Sequence, residues 1–287
     1  MEEMKQNVVL FANTGMGNSV LKELVKSEFI NVVSVCTQKF EGVFPHFEEE
    51  ELYTLCDNLG VSCFCNRDVN VDMVDLLKSE DLDYIIVASF GQILKEKLIS
   101  LPKKGVINFH PSLLPAYRGP TPIIWAILND EVNTGVTVHW LTKVIDGGEV
   151  ILQSQIEIET KSLGELFQQL ADLCGELTRK LILMITSNCD IISKKQNENN
   201  SSYFTKPLLI DRIINLSESI EMIIKRVRAF SPSPMPKVFL LGNEFNVEGY
   251  EILKNIQKQE FIDYNAQKNQ LILGSCNTII KLKLLNI

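Results

Sequence analysis

The 287-residue sequence lacks several features, and each absence argues against a class of protein. No apolar run approaches the roughly 20 residues that a membrane-spanning helix needs. Residues 1–7 lack the basic start and the apolar stretch of a secretory signal. The seven cysteines are irregularly spaced, and the one close pair, Cys63 and Cys65, offers too few ligands for a zinc site. We therefore expect a cytoplasmic protein with reduced cysteines and no bound metal.

Basic residues are also in deficit. The chain has 28 Lys and Arg against 36 Asp and Glu, a net charge of −8. Nucleic-acid binding usually needs a basic face, so this balance disfavours it. Histidine is scarce as well, with His46, His110 and His139 alone. His46 lies in an acidic segment and His139 in the middle of a predicted strand beside Trp140, so we interpret both as structural.

The first half of the chain alternates short apolar runs with amphipathic stretches, which is typical of a doubly wound α/β sheet. We predict a Rossmann-like, mostly parallel sheet, whose sites lie beyond the carboxyl ends of its strands. The predicted buried strands are Asn7–Ala12, Val32–Thr37, Tyr84–Ala88 and Gly105–Phe109. The predicted helices are Gly17–Ser27, Glu48–Leu59 and a short one around Met73–Leu77.

The second half indicates a smaller, β-rich region. Thr134–Trp140 and Val150–Glu157 predict two further strands, and a long helix follows from Ser162 to about Thr186. Residues 193–202 are polar throughout and predict a linker or exposed loop. Beyond a helix that ends before three prolines, short strands predict a small barrel-like C-terminal domain. We therefore expect domains at 1–190 and 203–287.

A glycine pair opens the first helix. Gly15-Met16-Gly17 resembles the beginning of a dinucleotide-binding loop, but Val20 stands where the third glycine belongs and no acid follows Thr37. A tight strand-to-helix turn explains the glycines equally well. Since a helix N-terminus attracts phosphate, Asn13 and Gly15 are candidate substrate residues.

The segment from Ile107 to Pro120 carries most of the chemical information. It follows a buried strand, and strand alternation places Asn108 and His110 on one face, where an amide and an imidazole point to the same place. Proline at 111 and at 115 stiffens the loop. Farther along, Asp146 precedes Gly147 and Gly148 in a turn between two strands, where a ligand could approach the backbone closely.

These residues resemble the formyltransferase family that uses 10-formyltetrahydrofolate. The resemblance lies in Asn108, His110, the Ser-Leu-Leu-Pro loop at 112–115 and Asp146, and it covers about residues 7–185. The later region is similar, more weakly, to the small C-terminal domain of methionyl-tRNA formyltransferase and its sugar-modifying relatives. Asn108, His110 and Asp146 are thereby implied to be the catalytic residues.

The resemblance also implies a donor site. An amine attacks the formyl carbon, and charge develops on the formyl oxygen, which Asn108 is suited to stabilise. His110 and Asp146 are candidates for proton transfer or for ordering the site, and the sequence does not divide these roles. The pterin of the folate is expected between two loops. The implied cofactor-binding residues are Phe90, Gly91, Gln92, Ile93, Leu94, Val144 and Ile145.

Three acceptors are weighed. Glycinamide ribonucleotide formyltransferases are shorter and have Pro-Gly in place of Arg118-Gly119. Methionyl-tRNA formyltransferases carry a basic insertion where residues 40–66 here contain six acids and no Lys or Arg. Enzymes that formylate nucleotide-linked amino sugars, such as dTDP-linked amino-dideoxy sugars of O-antigen or lipopolysaccharide biosynthesis, share Arg118-Gly119 and a tryptophan near Trp125. We rank the sugar nucleotide first, with Arg118 and Tyr117 on the acceptor side, and initiator tRNA second.

We also consider a non-enzymatic function beside these three acceptors. The chain could be a folate-binding regulator on an inactive scaffold, although a pure binder does not need the complete set of Asn108, His110 and Asp146. The apolar C-terminal strands also leave open a homodimer formed through an intersubunit sheet.

Overall fold

The computed structural model describes residues 5–39, 50–187, 189–254, 260–275 and 278–286. His46 and the acids Glu41, Glu48 and Glu49 of the acidic segment lie outside these ranges. The chain divides into two compact units. The first comprises Met1–Pro122, Asn133–Glu157 and Phe167–Phe204, and the second comprises Ile123–Val132, Ile158–Leu166 and Thr205–Ile287. The predicted domain division at 190 and 203 stays a prediction.

The first unit contains a seven-stranded sheet in the order β3-β2-β1-β4-β5-β6-β7. Strands β1 to β5 run parallel, and β6 and β7 are antiparallel additions beside β5. The order reverses between β1 and β4, so their carboxyl ends open a crevice there. The strands are β1 Gln6–Ala12, β2 Ile30–Thr37, β3 Cys63–Cys65, β4 Tyr84–Ala88, β5 Gly105–His110, β6 Asn133–Trp140 and β7 Val150–Glu157.

The predicted α/β class is confirmed, since helices alternate with the strands along the chain. These helices are α1 Met16–Lys26, α2 Leu52–Leu59, α3 Val69–Lys78, α4 Glu96–Ile99, α5 Pro122–Leu128 and α6 Leu163–Thr186. Residues 123–128 of α5 and 163–166 of α6 belong to the second unit. In α1, Val20, Leu21 and Leu24 are fully buried, because i, i+1 and i+4 share the face turned to the sheet. The central strands are apolar on both faces because helices cover both sides.

Some short elements of the first unit were not predicted from the sequence. Strand β3 has three residues and α4 has four, too few for a periodic pattern to be recognised. Strand β3 coincides with Cys63 and Cys65, whose sulfur atoms lie 3.8 Å apart. Its pairing with β2 at Val35, Cys36 and Thr37 establishes it as an edge strand.

Residues 193–202, predicted as a linker or exposed loop, form a largely exposed loop of the first unit rather than a linker between the two units. Lys194 exchanges two backbone hydrogen bonds of 2.8 Å with Val150. Near the other end, Arg118 donates to the Ser202 carbonyl at 2.9 Å, and Phe204 donates to the Arg118 carbonyl at 3.0 Å. The segment therefore belongs to the first unit. Its polar composition does not indicate this attachment, because backbone groups and polar side chains hold the segment in place.

The second unit contains a five-stranded antiparallel half-barrel in the order β10-β11-β12-β9-β8, which confirms the predicted β-rich region. Its elements are α7 Leu209–Arg212, α8 Ile220–Phe230, β8 Lys237–Leu240, β9 Asn243–Lys254, β10 Phe261–Asn265, β11 Gln270–Gly274 and β12 Thr278–Asn286. Ser219 caps α8 by accepting from the Met222 amide. Ile223 and Val227 of α8 then pack with Val238 and Val247 in one core.

Among the described residues, no helix is long and apolar enough to cross a membrane.

Candidate active site

Strand β5 brings Asn108 and His110 to the end of the sheet. Parallel pairing with β4 fixes one side of the strand, and antiparallel pairing with β6 places Asn108 opposite His139 and His110 opposite Thr137. His110 is 5% exposed, so its polar atoms need partners in the protein. The site is thus assembled between two neighbouring strands.

The loop after β5 folds back over its own histidine. Thr137 of β6 fastens the loop, since its hydroxyl donates to the Ser112 carbonyl at 2.6 Å and accepts from the Leu114 amide at 3.1 Å. The Tyr117 carbonyl consequently lies 2.8 Å from Nε2 of His110. A carbonyl only accepts, so Nε2 carries hydrogen. In the neutral ring, Nδ1 is therefore the atom with a free electron pair.

Asp146 lies between the two imidazoles. Its Oδ2 is 3.7 Å from Nδ1 of His110, and its Oδ1 is 3.7 Å from Nε2 of His139. The Gly119 amide donates to Oδ2 at 2.8 Å. Gly119 has a φ of +93°, and a Cβ there would lie 2.3 Å from the Phe204 carbonyl, so glycine is required for this contact. Asp146 itself has a φ of +49°, which orients its side chain at the cost of local strain.

His139 is a functional candidate that sequence reasoning missed. The sequence indicated a structural histidine, but its Nε2 lies 3.0 Å from the Asn108 amide nitrogen and its Nδ1 lies 2.9 Å from the Trp140 carbonyl. Burial, together with the charge that His110 can carry, lowers the pKa of His139 to about 4. Only the register between β5 and β6 places His139 opposite Asn108, and that register cannot be read from the sequence.

Arg118, predicted for the acceptor, is 7% exposed and bonded within the chain. Its guanidinium donates to both carboxylate oxygens of Glu198, at 2.9 and 2.8 Å, and to the Gln196 side-chain oxygen, at 3.2 and 2.8 Å. The Gln196 amide nitrogen in turn donates to the carbonyls of Asp146 and Gly148, each at 2.7 Å. Arg118 and Gln196 therefore form a brace from the loop after β5 to the turn that holds Asp146.

The other predicted acceptor residues, Tyr117, Asn13 and Gly15, also make contacts within the chain. The Tyr117 ring stacks on Phe204 with centroids 5.0 Å apart. Asn13 accepts from the Gln38 amide at 3.3 Å. Gly15 is the N-cap of α1, and Phe167 fills the space that a Cβ at Gly15 would need. The Gly15 amide already donates to Asn18 at 3.1 Å, which leaves one fewer donor for a phosphate.

The loop predicted for the pterin is an ordered connection from β4 to α4. Gln92 donates to the Arg67 carbonyl at 2.7 Å and accepts from the Val69 amide at 3.1 Å, which ties the loop to the start of α3. Phe90 packs against Phe11 at a centroid distance of 5.6 Å, and Leu94 is buried. The apolar side chains left exposed are Ile93, at 73%, and, from the other predicted loop, Val144 and Ile145.

A second polar region lies at the carboxyl ends of β2 and β3. An open cleft of about 490 Å³ is lined by side chains from three connections. They are Gln38, Lys39, Asn66, Arg67, Asp68 and Gln92. Lys39, Arg67 and Asp68 are exposed, so the cleft offers an anionic ligand two cations and three side-chain amides, beside one carboxylate. The described residues contain no group of three or more His, Cys, Asp or Glu side chains that could hold a metal.

The fold and the Asn108–His110–His139–Asp146 cluster together define a class: an α/β enzyme with an amide donor beside a proton acceptor. Such a set suits nucleophilic attack on a carbonyl carbon, where charge develops on oxygen and the nucleophile loses a proton. The chain belongs to the formyl transferase family, which matches residues 5–181. It is accordingly an enzyme of formyl transfer.

Individual relatives span nearly the whole chain. The methionyl-tRNA formyltransferase of Thermotoga neapolitana is 29% identical over 286 residues, which cover 98% of this chain and 90% of the relative. The fold is shared with a crystal structure of WlaRD, a sugar 3N-formyl transferase in the presence of dTDP and 5-N-formyl-THF (TM-score 0.75, 21% identity, 100% of both chains). It is also shared with the N-formyltransferase of Helicobacter canadensis, in complex with folinic acid and dTDP-3-aminofucose (TM-score 0.75, 20% identity, 98% and 100% covered).

Proposed function

We propose that this enzyme transfers the formyl group of 10-formyltetrahydrofolate to the amino group of a nucleotide-linked amino sugar, a dTDP-linked amino-dideoxy sugar first among them. The observation that supports a sugar nucleotide as the acceptor is the cleft at the carboxyl ends of β2 and β3, where Lys39 and Arg67 are exposed beside amide side chains. Two cations match a pyrophosphate, whereas an RNA stem needs an extended basic face.

The proposed chemistry assigns one task to each side chain. The amine attacks the formyl carbon, and an N–H of Asn108 stabilises the oxygen on which charge develops. Nδ1 of His110 takes the proton that the amine loses, because Nε2 is engaged by Tyr117. Asp146 stabilises the imidazolium that results, and its own orientation is fixed by the Gly119 amide. The bond between the formyl carbon and N10 of the folate then breaks, and the proton on Nδ1 of His110 passes to N10.

The donor is supported by the family and by the surface of the two predicted loops. The solved relatives named above are described with 5-N-formyl-THF or folinic acid. Here the exposed Ile93, Val144 and Ile145 offer apolar walls for a flat ring, and loop backbone groups offer hydrogen bonds for its edge. Phe90 and Leu94 pack beneath the first loop, and Gln92 ties it to the start of α3. Gly91 is exposed, and a Cβ there would lie 2.9 Å from Oε1 of Gln38.

The sugar-nucleotide acceptor is supported by charge in the sequence as well. Residues 40–66 contain six acids and no Lys or Arg, and the net charge of the chain is −8. Part of this stretch, 40–49, lies outside the described residues. A polyanionic stem approaching this region would meet repulsion that a single pyrophosphate at Lys39 and Arg67 avoids.

Initiator methionyl-tRNA is the second candidate, and a specific observation favours it. The Thermotoga neapolitana relative, named a methionyl-tRNA formyltransferase, aligns over 98% of this chain, including the second unit. A folate-binding regulator is the candidate of a different class. The complete cluster of Asn108, His110, His139 and Asp146 favours catalysis, because binding alone does not call for a proton acceptor held beside an amide donor.

The test is formyl transfer to acceptors offered in parallel. The purified enzyme is incubated with 10-formyltetrahydrofolate and either charged initiator methionyl-tRNA or a panel of dTDP-, UDP- and GDP-linked amino sugars, and mass spectrometry detects the added formyl group. Gain on a sugar nucleotide alone supports the proposal. Gain on the tRNA alone overturns the acceptor while leaving the chemistry in place. Folate binding without any transfer supports the regulator. Asp146→Asn serves as the inactive control.

A further inference from the structure

The interaction between His139 and Asn108 has a consequence for catalysis. We propose that His139 is a positioning residue that holds the Asn108 amide in one orientation, with one N–H bound to the imidazole and the other available to the formyl oxygen. This inference rests on the proposed role of Asn108 as a donor. It adds a residue that the sequence interpretation had set aside as structural.

The first step is the protonation state of the His139 ring. Its Nδ1 lies 2.9 Å from the Trp140 carbonyl, and a carbonyl accepts without donating. Nδ1 must therefore carry hydrogen. The side chain is 1% exposed, so no bulk water replaces this partner. In the neutral ring, Nε2 is then an acceptor.

The second step is the orientation of Asn108. An asparagine amide has an oxygen that accepts and a nitrogen that donates twice. Since Nε2 of His139 is an acceptor, the group 3.0 Å away must be the amide nitrogen. A flipped amide would set two acceptors against each other in a buried place, which is costly. The Trp140 carbonyl thus determines, through the ring, which way Asn108 points.

The third step is that the ring stays neutral. The groups that face it are Asp146, 3.7 Å away, His110, with ring centroids 6.4 Å apart, and the Arg118 cation. Asp146 favours a charged ring, whereas His110, Arg118 and burial oppose it, and burial is the largest effect. A protonated ring would donate at Nε2 and turn the Asn108 amide around. Neutrality therefore maintains the donor orientation at physiological pH.

Two variants separate positioning from packing. His139→Gln keeps an acceptor near the place of Nε2, whereas His139→Met has a similar length without a good acceptor. We expect H139M to lower kcat about 100-fold, the typical cost of a misplaced oxyanion donor, with KM nearly unchanged. H139Q should recover most of that loss. Equal losses in both variants, or a loss confined to KM, would overturn the proposal.

A double-mutant cycle tests whether His139 acts through Asn108. Once Asn108→Ala has removed the amide, adding H139M should cost little more, and a full additional 100-fold loss would contradict the proposal. An N108A enzyme with unchanged kcat would instead remove the proposed role of Asn108, so the two failures are distinguishable.

A spectroscopic measurement on the wild-type enzyme covers the case in which a variant does not fold. With three histidines in the chain, ¹⁵N spectra of the imidazoles can be assigned from the His110 and His139 variants. At pH 7 we expect a neutral His139 ring with hydrogen on Nδ1. Hydrogen on Nε2, or a charged ring, would overturn the inference.

Discussion

Two regions at the carboxyl ends of the same sheet differ in how their polar side chains are buried. Beside β5 and β6, His110 and His139 are buried and their nitrogens meet groups of the chain itself. Beyond β2 and β3, Lys39 and Arg67 are exposed in an open cleft. A buried network keeps its geometry before substrate arrives, whereas exposed cations adapt to what binds. We infer that the first region carries the chemistry and the second carries acceptor recognition.

The strongest test of this contrast is the carboxylate of Asp146. Asp146→Asn preserves the shape and an oxygen for the Gly119 amide, but it removes the charge that we propose stabilises a protonated His110. We expect kcat to fall about 1,000-fold, within the usual range for acid–base groups, with folate affinity maintained. Asp172→Asn, on the exposed face of α6, is the matched control. A kcat within tenfold of wild type would show that Asp146 serves orientation alone.

The next effect concerns stability and pH. The pKa of His139 is about 4 in the folded protein and about 6.5 when unfolded, so between these values the unfolded chain binds the extra proton. The neutral His139 ring therefore contributes up to about 3 kcal/mol to the free energy of unfolding. This contribution is fully present above pH 6.5 and is lost as the pH falls toward 4. The measurement is denaturant unfolding at several pH values.

The control for that titration is H139Q, which should have a shallower slope over the same window. Equal slopes for wild type and H139Q would mean that His139 is not the residue that titrates. A lowered pKa of His139 would then no longer distinguish the buried β5–β6 region from the open cleft.

A third prediction decides to which of the two regions Arg118 belongs. If Arg118 acts as the brace, Arg118→Met should lower the unfolding free energy by about 2 kcal/mol and reduce kcat, because Gln196 and the Asp146 turn lose support. If it binds the acceptor, KM for the acceptor should rise with stability unchanged. Urea unfolding and steady-state kinetics distinguish these outcomes. Arg179→Met removes an exposed arginine as control.

The smallest expected effect is at the open cleft. Replacing Lys39 and Arg67 together by alanine should raise KM for a sugar nucleotide about tenfold, with kcat nearly unchanged, since exposed charge contacts are individually weak. Added salt should weaken wild-type binding more than binding by this variant. Lys97→Ala with Lys180→Ala gives the same change in net charge elsewhere. Equal KM values in the two double variants would remove the cleft from acceptor recognition.

The sequence was informative where a pattern is local. The apolar strands, the amphipathic α1 and α6, and the stiff loop after β5 follow from periodicity and proline placement. Strand alternation also placed Asn108 and His110 on one side of β5. His139 and Gln196 could not be found in this way, because their partners lie 31 and 50 residues away in the chain.

By itself, the sequence determined an α/β sheet with Asn108 and His110 at the end of a strand, because side-chain alternation and hydrophobic periodicity are properties of neighbouring residues. The tertiary structure alone decided that β6 pairs antiparallel to β5 and brings His139 to Asn108. It also decided that a polar segment, predicted only as a linker or exposed loop, braces Asp146 through Gln196 and Arg118. The physical reason is that strand register and buried hydrogen bonds join residues distant in the chain, whose pairing depends on how the whole sheet packs.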